Sequence, residues 1–442
     1  MKDFIPASLL APSLDVFCGF DQMGLTAQGL RHEPRLADGN FGATTIVCRA
    51  IERVEDRFCH WCGSQGRVRD SRLRSLTHLP FGERPTKLLV RFRRYRCDQC
   101  AHIWSQSLTR VASPRSPLTR TAARWAFYSL AINKLSVAAV ARHLALSWDA
   151  TWKAIKDLAT PVFNNPQRLE GVKAIGIDEH AWRHRPGRDP YQTVIVDLTP
   201  VIENTGPARL LDMIDARASP AIDAWLAGLD QSYRHTIEAA AMDGLAAYKK
   251  AVTNQLDYTT IALDPFHVVT WAGAKVTAIR QRLSHEIYGR RGHTGDPLYH
   301  TRKILLTSTD YLTTKGRTKL AALFDNSEYN ELHTAWRIYQ DIIHAYRHPD
   351  TTIGQMRMSR VIETIKPGTN QTISEIASLE RTLASRRTDI LAAFDHPHLT
   401  NGPVEAINGR IEHLRGIALG FRNPHNYKIR ALIHSGQPHL HP

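Results

Sequence analysis

Two Cys-x-x-Cys pairs, Cys59-His60-Trp61-Cys62 and Cys97-Asp98-Gln99-Cys100, constrain this chain more than any other feature. Each pair offers two thiolates to one tetrahedral ion, and two pairs complete a four-cysteine site. The chain between Cys62 and Cys97 must then return on itself, which a hairpin does. Four protein ligands leave no open position, so Zn2+ here is expected to be structural. His60 reads as a bystander inside its knuckle. Cys18 and Cys48 lack such a partner and read as buried free thiols. No cysteine follows Cys100 in the 442 residues, and this break sets off residues 1–112 as an N-terminal region holding the zinc module.

Charge narrows the partners. Lys plus Arg number 57 against 42 Asp plus Glu, a net charge of +15, and a surplus of that size points to a polyanion, most often nucleic acid. From Arg84 to Arg96, apolar and basic residues alternate as in a half-exposed strand. Arg91, Arg93, Arg94 and Arg96 are the candidate phosphate contacts there, against the plainer reading of a solvated strand face. No run of 18 apolar residues predicts a membrane span. Met1 to Leu14, with one Lys and two prolines, lacks a secretory pattern. A cytoplasmic protein, on the nucleoid when bound to DNA, is expected, and in that reducing setting the cysteines read as metal ligands.

Ser113-Pro-Arg-Ser-Pro117 reads as a linker, and residues 119–160 read as helical. Within the span 113–165, Ser136 to Ile155 fits a helix-turn-helix: Ser136 and Ser147 suit N-cap positions, Leu144-Ala145-Leu146 the turn, and Ala139, Val140, Leu144 and Ile155 the packed seam. The second helix would offer Trp148, Asp149, Thr151, Trp152 and Lys153 to a DNA groove. A plain helical hairpin gives the same pattern.

Residues 172–178, 191–198, 235–243 and 259–264 are short apolar runs of strand type, and 219–229 reads as a helix. Asp178, Asp243 and Asp264 each end such a run. A carboxylate at a strand end can be aimed into a cleft, and two on adjacent strands can share divalent ions for phosphoryl transfer. Hard oxygen ligands suit Mg2+ or Mn2+. Each Asp has a plainer role as a helix cap, and Asp197, near the end of 191–198, shows that a strand-end acid need not be catalytic. A late carboxylate, Glu405, opens an amphipathic helix whose buried stripe is Val404, Ile407 and Ile411. Arg410, Arg415 and Arg422 follow, either to hold phosphates or as a solvated face.

In order along the chain, these features resemble the ISL3 family of bacterial insertion-sequence transposases: the paired knuckles, the helix-turn-helix, Gly176-Ile-Asp178-Glu179, Met242-Asp243 with Tyr248, Asp264-Pro-Phe-His267-Val268, Asn401-Gly-Pro-Val-Glu405-Ala-Ile-Asn408, and the tail Gly420 to Tyr427. The resemblance implies an α/β RNase H-like catalytic core with an Asp/Asp/Glu site and a large helical insertion, beside the zinc module and helix-turn-helix. It places the first acid on Asp178 and the Glu on Glu405. The second falls on Asp243, since 235–243 reads as the fourth strand, while Asp264 belongs to the next. Residues 170–267 would form the first part of the core, 268–395 the insertion, and 396–442 the C-terminal part of the core. Pro265 and Ala406 depart from the family's more usual Arg and Gly, and neither is a metal ligand.

The implied activity is metal-dependent cleavage and strand transfer at terminal inverted repeats. Double-stranded DNA, both element ends and target, is the partner. Two ends must be joined together, so a homodimer or larger synaptic assembly is expected. The rival is a zinc/helix-turn-helix transcriptional regulator, which explains the charge and the chain as far as Thr160 equally well. It leaves the strand-end acids and Glu405 without a role. A nuclease without strand transfer would differ by its products.

Overall fold

The computed structural model describes residues 5–6, 15–16, 18–37, 41–183, 190–216, 218–365 and 373–437. The chain divides into two compact units. One is Met1–Arg168 with Gly416–Leu419 and His425–Pro442, and the other is Leu169–Arg415 with Gly420–Pro424. No helix among the described residues is long and apolar enough to cross a membrane.

The first unit is built on a six-stranded sheet: β1 (Ile5–Pro6), β2 (Leu25–His32), β3 (Thr44–Ala50), β4 (Gly66–Phe81), β5 (Arg84–Cys97) and β6 (Ile103–Ser105). Its order is β1-β2-β3-β5-β4, with β6 also paired to β5. The stretch between the two Cys-x-x-Cys pairs is the long antiparallel β4–β5 hairpin. Gly82, with φ +59, takes the left-handed conformation that its tight turn demands. Alternation in β5 buries Leu88 and Val90 with Leu25, Ile46 and Leu76, while Tyr95 and Cys97 join Cys59 and Trp104 in a second cluster.

Three helices follow, α1 (Arg120–Ala131), α2 (Val137–Leu144) and α3 (Trp148–Asn164). The hydroxyls of Thr119, Ser136 and Ser147 accept from the backbone N–H groups of Ala122, Ala139 and Ala150, satisfying donors that each helix start leaves open. Ala145 turns the chain between α2 and α3 at φ 48. Leu130, Val140, Leu144, Trp152 and Ile155 make the seam, and Ile429 and Ile433 near the chain's end join it. The span 396–442, expected as one piece of the core, is thus divided between the two units.

The second unit holds a five-stranded sheet of β7 (Ala174–Ala181), β8 (Tyr191–Asp197), β9 (Arg209–Ile214), β10 (Ala239–Met242) and β11 (Thr260–Leu263), in the order β11-β10-β7-β8-β9. β8 runs antiparallel to β7 and β9, whereas β10 is parallel to β7 and to β11. Helices α4 (Ser219–Ala227) and α5 (Ala246–Gln255) lie along the chain between β9 and β11, and both contribute to the buried cluster of the sheet. From Pro265 onward the chain is helical: α6 (Pro265–Tyr288), α7 (Thr314–Phe324), α8 (Asn330–Tyr346), α9 (Thr351–Thr364), α10 (Ser374–Ser385) and α11 (Arg387–Asp395) share one large apolar core. Then come α12 (Gly402–Ile417), which carries Glu405, and α13 (Pro424–Ser435).

Candidate active site

Strand register brings the three strand-end acids into line. Ile177 stands opposite Met242, and Met242 opposite Leu263, so the next residues, Asp178, Asp243 and Asp264, follow at one level on three adjacent parallel strands. Asp243 occupies the middle of the row. Its Oδ1 accepts from the backbone N–H of Leu245 at 2.9 Å, and Asp178 Oδ1 accepts from that of Glu179 at 2.8 Å.

The Glu405 helix reaches this row because β7 has a glycine where the helix crosses. A methyl built on Gly176 would stand 2.3 Å from Val404 Cγ2. Gly176 and Asp178 are two apart in a strand and share a face, so the helix that covers one meets the other. Asn408, one turn beyond Glu405, donates from Nδ2 to Asp178 Oδ2 at 3.1 Å and to the carbonyl of Glu179 at 3.2 Å.

Electrostatics mark the cluster. Burial, reinforced by the Asp243 and Glu405 carboxylates, pushes Asp178 up to about 6. Burial raises Asp243 too, with Asp264 adding to it and His267 and Arg386 opposing. His267 is raised by its contact with Asp264, Nδ1 to Oδ2 at 3.3 Å, and by the Asp243 and Asp178 charges. The site is a concentration of anions that a cation would relieve. Asn408 Oδ1 and both side-chain polar atoms of Asn401 are buried without partners. The donor set is oxygen from carboxylates, which fits Mg2+ or Mn2+. Among the described residues, though, Asp178, Asp243 and Glu405 do not form a group with every ligand atom within 4.8 Å of the others.

Asp264 is held differently. Its Oδ2 faces His267, and its Oδ1 accepts from the backbone N–H of Asn401 at 3.3 Å. It ties the start of α6 to the turn before α12. Asp197 is paired with Arg209 at 2.8 Å and accepts from the N–H of Thr199.

The cysteines do form such a group: Cys59, Cys62, Cys97 and Cys100 lie with their sulfurs within 4.8 Å of one another. The closest separations are 3.4 Å for Cys62–Cys97, 3.5 Å for Cys62–Cys100 and 3.7 Å for Cys59–Cys100. Zn–S bonds of about 2.3 Å span a tetrahedral edge of about 3.8 Å, so the quartet is compatible with zinc. Hydrogen bonds from Ser64 and the neighbouring thiols bring Cys62 down to about 6. Burial pushes Cys18 up to about 11 and Cys48 up to about 12, as inert thiols should behave.

The candidate DNA contacts sort by exposure. Arg91 and Arg96 are exposed, whereas Arg93 pairs with Glu52 at 2.9 Å and Arg94 with Asp70 through Nε at 2.7 Å. Arg57 and Arg93 hold Glu52 down to about 2. On α3, Trp148 is 45% exposed and Lys153 lies outside, paired with Asp157. Thr151 and Trp152 are buried, which corrects the expectation that they face a groove: they lie on the packed side of α3, and Trp152 Nε1 donates to Asn426 Oδ1 at 3.1 Å. Arg410 and Arg422 are exposed, while Arg415 pairs with Glu412. Sequence reasoning assigns no role to Asn408 or Arg386. Asn408 stands one turn from Glu405, a spacing that can find it, but nothing local links Arg386 to Asp243.

A transposase family model matches residues 175–431. Two relatives, each a transposase for insertion sequence element IS1557 from Mycobacterium tuberculosis, strains CDC 1551 / Oshkosh and ATCC 25618 / H37Rv, are 24% identical over 311 residues. That match covers 65% of this chain and 66% of each relative, just under two thirds of their length. Among solved structures, the Drosophila P element transposase strand transfer complex aligns over 73% of this chain and 92% of that one, at 12% identity and a TM-score of 0.34, too loose a likeness to bear on fold or function.

Proposed function

The chain belongs to the ISL3 family of transposases, and from that premise we propose that it binds the terminal inverted repeats of an insertion sequence and performs DNA cleavage and strand transfer with Asp178, Asp243 and Glu405. One observation carries this: two half-buried strand-end carboxylates stand at one level on adjacent parallel strands, and the helix bearing Glu405 is seated on one of those strands at Gly176, with the Asp243 and Glu405 charges both raising Asp178. In the sheet, β7, β8 and β9 are antiparallel in succession while β10 and β11 run parallel to β7, and this order supports an RNase H-like core. The capped α2–α3 pair supports a helix-turn-helix, with Trp148 and Lys153 outward.

Asp178, Asp243 and Glu405 would hold Mg2+ or Mn2+, which when bound supplies Lewis acidity to the attacking and leaving oxygens of an in-line phosphoryl transfer. The chain's own groups prepare that centre. Asn408 fixes the Asp178 carboxylate by donating to Oδ2. The N–H of Leu245 fixes Asp243. His267, whose protonated form is favoured by its contact with Asp264 and by the Asp243 and Asp178 charges, engages Asp264 Oδ2 and would offset the local negative charge. Water would be the nucleophile at each element end, and the freed 3′-OH the nucleophile toward target DNA. Zinc on the four cysteines would fix the knuckle end of the β4–β5 hairpin, which carries Arg91 and Arg96. Joining two ends calls for a dimer or larger assembly.

The test is Mg2+-dependent cleavage and joining of a DNA fragment carrying the element's own end, with binding measured in parallel. Asp178→Asn, Asp243→Asn and Glu405→Gln should bind and not cut, with Asp264→Asn retaining chemistry. Loss of chemistry in Asp264→Asn but not Asp243→Asn moves the second ligand to Asp264. A wild type that binds ends without cutting under Mg2+ or Mn2+ favours the regulator.

A further inference from the structure

The turn that carries Asp243 is covered by a ring to which the proposed chemistry gives no task. β10 ends at Met242, Asp243 and Gly244 follow, and α5 begins at Ala246. A methyl built on Gly244 would stand 2.0 Å from Trp271 Cζ2, 2.9 Å from Cη2 and 3.1 Å from Cε2. All three atoms belong to the six-membered ring of the indole, so its edge bears directly on the Gly244 backbone. Gly244 is not among the glycines with positive φ. Its conformation does not call for glycine, and the missing side chain serves space alone.

The ring is anchored elsewhere. Trp271 is half-buried and packs against the apolar core of the helical segment, whereas Leu245, next to Gly244, packs against that of the sheet. The indole thus reaches from one core onto a turn of the other. It sits on α6 one turn after His267, and residues four apart share a helix face. His267 contacts Asp264 Oδ2 at 3.3 Å, and Asp264 stands beside Asp243 in the acid row, so this face of α6 is turned to the acids.

Asp243 in turn depends on its turn. Its Oδ1 accepts from the N–H of Leu245 at 2.9 Å, and among the described residues its Oδ2 has no hydrogen bond. Gly244 lies between the strand that aims the carboxylate and the N–H that holds it. Glycine has the most backbone freedom of any residue, and here that freedom would loosen the carboxylate. A tryptophan ring is large and has two rotatable bonds, which suits it to restrain such a turn.

We propose that Trp271 is a positioning residue for Asp243: its indole restrains the Gly244 turn and so sets where the free oxygen of Asp243 points before an ion binds. The inference rests on Asp243 being a metal ligand and adds what keeps it in place. It gives the first helix of the helical segment a part in assembling the site.

The full chain is labelled with 5-fluorotryptophan and followed by fluorine NMR, with Trp271→Phe identifying one resonance among the nine tryptophans. Mg2+ should shift that resonance, and Asp243→Asn should suppress the shift. Trp271→Phe keeps an aromatic ring and loses the edge on Gly244. It should raise the Mg2+ concentration for half-maximal end cleavage about tenfold, the low end of what losing the support of a metal ligand costs, and affect DNA binding and cleavage at saturating Mg2+ less. Gly244→Ala, which forces ring and turn apart, carries the same test from the other side should Trp271→Phe disturb folding. Gly244→Ala/Trp271→Phe should recover part of the loss seen in Gly244→Ala, a pattern that a general loss of stability does not give. A folded Trp271→Phe protein with the wild-type Mg2+ requirement would overturn the role of Trp271 alone. So would a Trp271 resonance that Mg2+ leaves unmoved while Asp243→Asn abolishes cleavage. If Asp243→Asn cleaves as wild type does, both that role and the place of Asp243 in the site fall.

Discussion

Gly176→Ala tests the seat of the Glu405 helix directly. The added methyl would meet Val404 Cγ2 at 2.3 Å and Leu198 Cδ1 at 3.2 Å. Carbon atoms pack at about 3.5–4.0 Å, so α12 must withdraw by roughly 1.2 Å at least, or β7 must bend. Overpacking of this kind costs about 1–3 kcal/mol. For a unit this size that lowers the melting temperature by about 2–4 °C per kcal/mol. The effect on chemistry should be larger, because a displacement of about 1 Å at a catalytic group costs on the order of 100-fold. Val404→Ala alone, at a site with no exposure, should cost about 1–3 kcal/mol through the lost methyls. Combined with Gly176→Ala it removes the worst contact, so the double variant should cleave faster than Gly176→Ala alone, with incomplete rescue because Leu198 remains. Thermal melting and single-turnover end cleavage of the four proteins close the cycle. If Gly176→Ala melts and cuts as wild type does, or if the two substitutions simply add, α12 is not seated on β7 as argued.

Three further outcomes are expected. Asp178, raised to about 6 from an ordinary value near 3.8, binds a proton more tightly folded than unfolded, so in chelator-treated protein stability should fall as pH rises from about 4 to 6, by roughly 2–3 kcal/mol, and then level off. Asp178→Asn should flatten that slope in melting curves and Mg2+ should lift the wild type at pH 7; an unchanged slope in Asp178→Asn refutes the buried-acid reading. Cys97→Ser should release about one zinc per chain in metal analysis and expose the knuckle end of the β4–β5 hairpin to protease, while a wild type purified without zinc and equally protected would count against the site. Trp152→Ala, at a position 3% exposed, should destabilise by about 3–5 kcal/mol, whereas Lys153→Ala should lower DNA affinity and leave melting alone; the reverse pattern would return Trp152 to the groove.

Sequence reveals those parts whose signal is local. Two cysteine pairs announce a metal cluster by spacing alone, and Ser136 and Ser147 cap helices because a hydroxyl before an apolar run has one favourable use. The runs ending at Asp178 and Asp264 are strands because a short apolar segment closed by Pro or an acid has few alternatives. Elsewhere the signal is spread out. β9 escapes a reading by apolar runs because Asp212 interrupts it; in the fold that acid is satisfied by Trp225 Nε1 at 2.8 Å, on the helix that follows. β2 and β3 escape it because they gain their place through the pairing of β3 with β5, Thr44 opposite Thr86 and Arg49 opposite Arg91, and no short window contains both partners. Trp152 is misread because one helix face cannot be told from the other until α13 supplies Ile429 and Ile433 to the same core and the neighbouring Asn426 takes the indole N–H, all from the far end of the chain.

The same distance argument explains why the helical segment cannot be a mere appendage to the sheet. Asp389, 3% exposed on α11, takes Lys249 of α5 at 2.9 Å and stands 2.8 Å from Arg386 Nε. Arg386 Nε and Nη2 nonetheless lack a well-aligned hydrogen-bond partner, so contact is made by charge rather than by a directed fork. That leaves the guanidinium able to act on a second anion, and it does: Arg386 favours the charged form of Asp243 against burial. A buried acid and two cations are costly to assemble and stabilise little for their own sake. Their value lies in position, because α5 begins just after Asp243 and α11 ends just before the turn to Glu405. Fixing α5 to α11 therefore fixes the spacing between two of the three acids. Asp389→Asn, which keeps the shape and removes the charge, should accordingly alter the Mg2+ concentration needed for half-maximal cleavage more than it alters DNA binding. An Asp389→Asn protein with wild-type metal dependence would show that the helical segment packs against the site without tuning it.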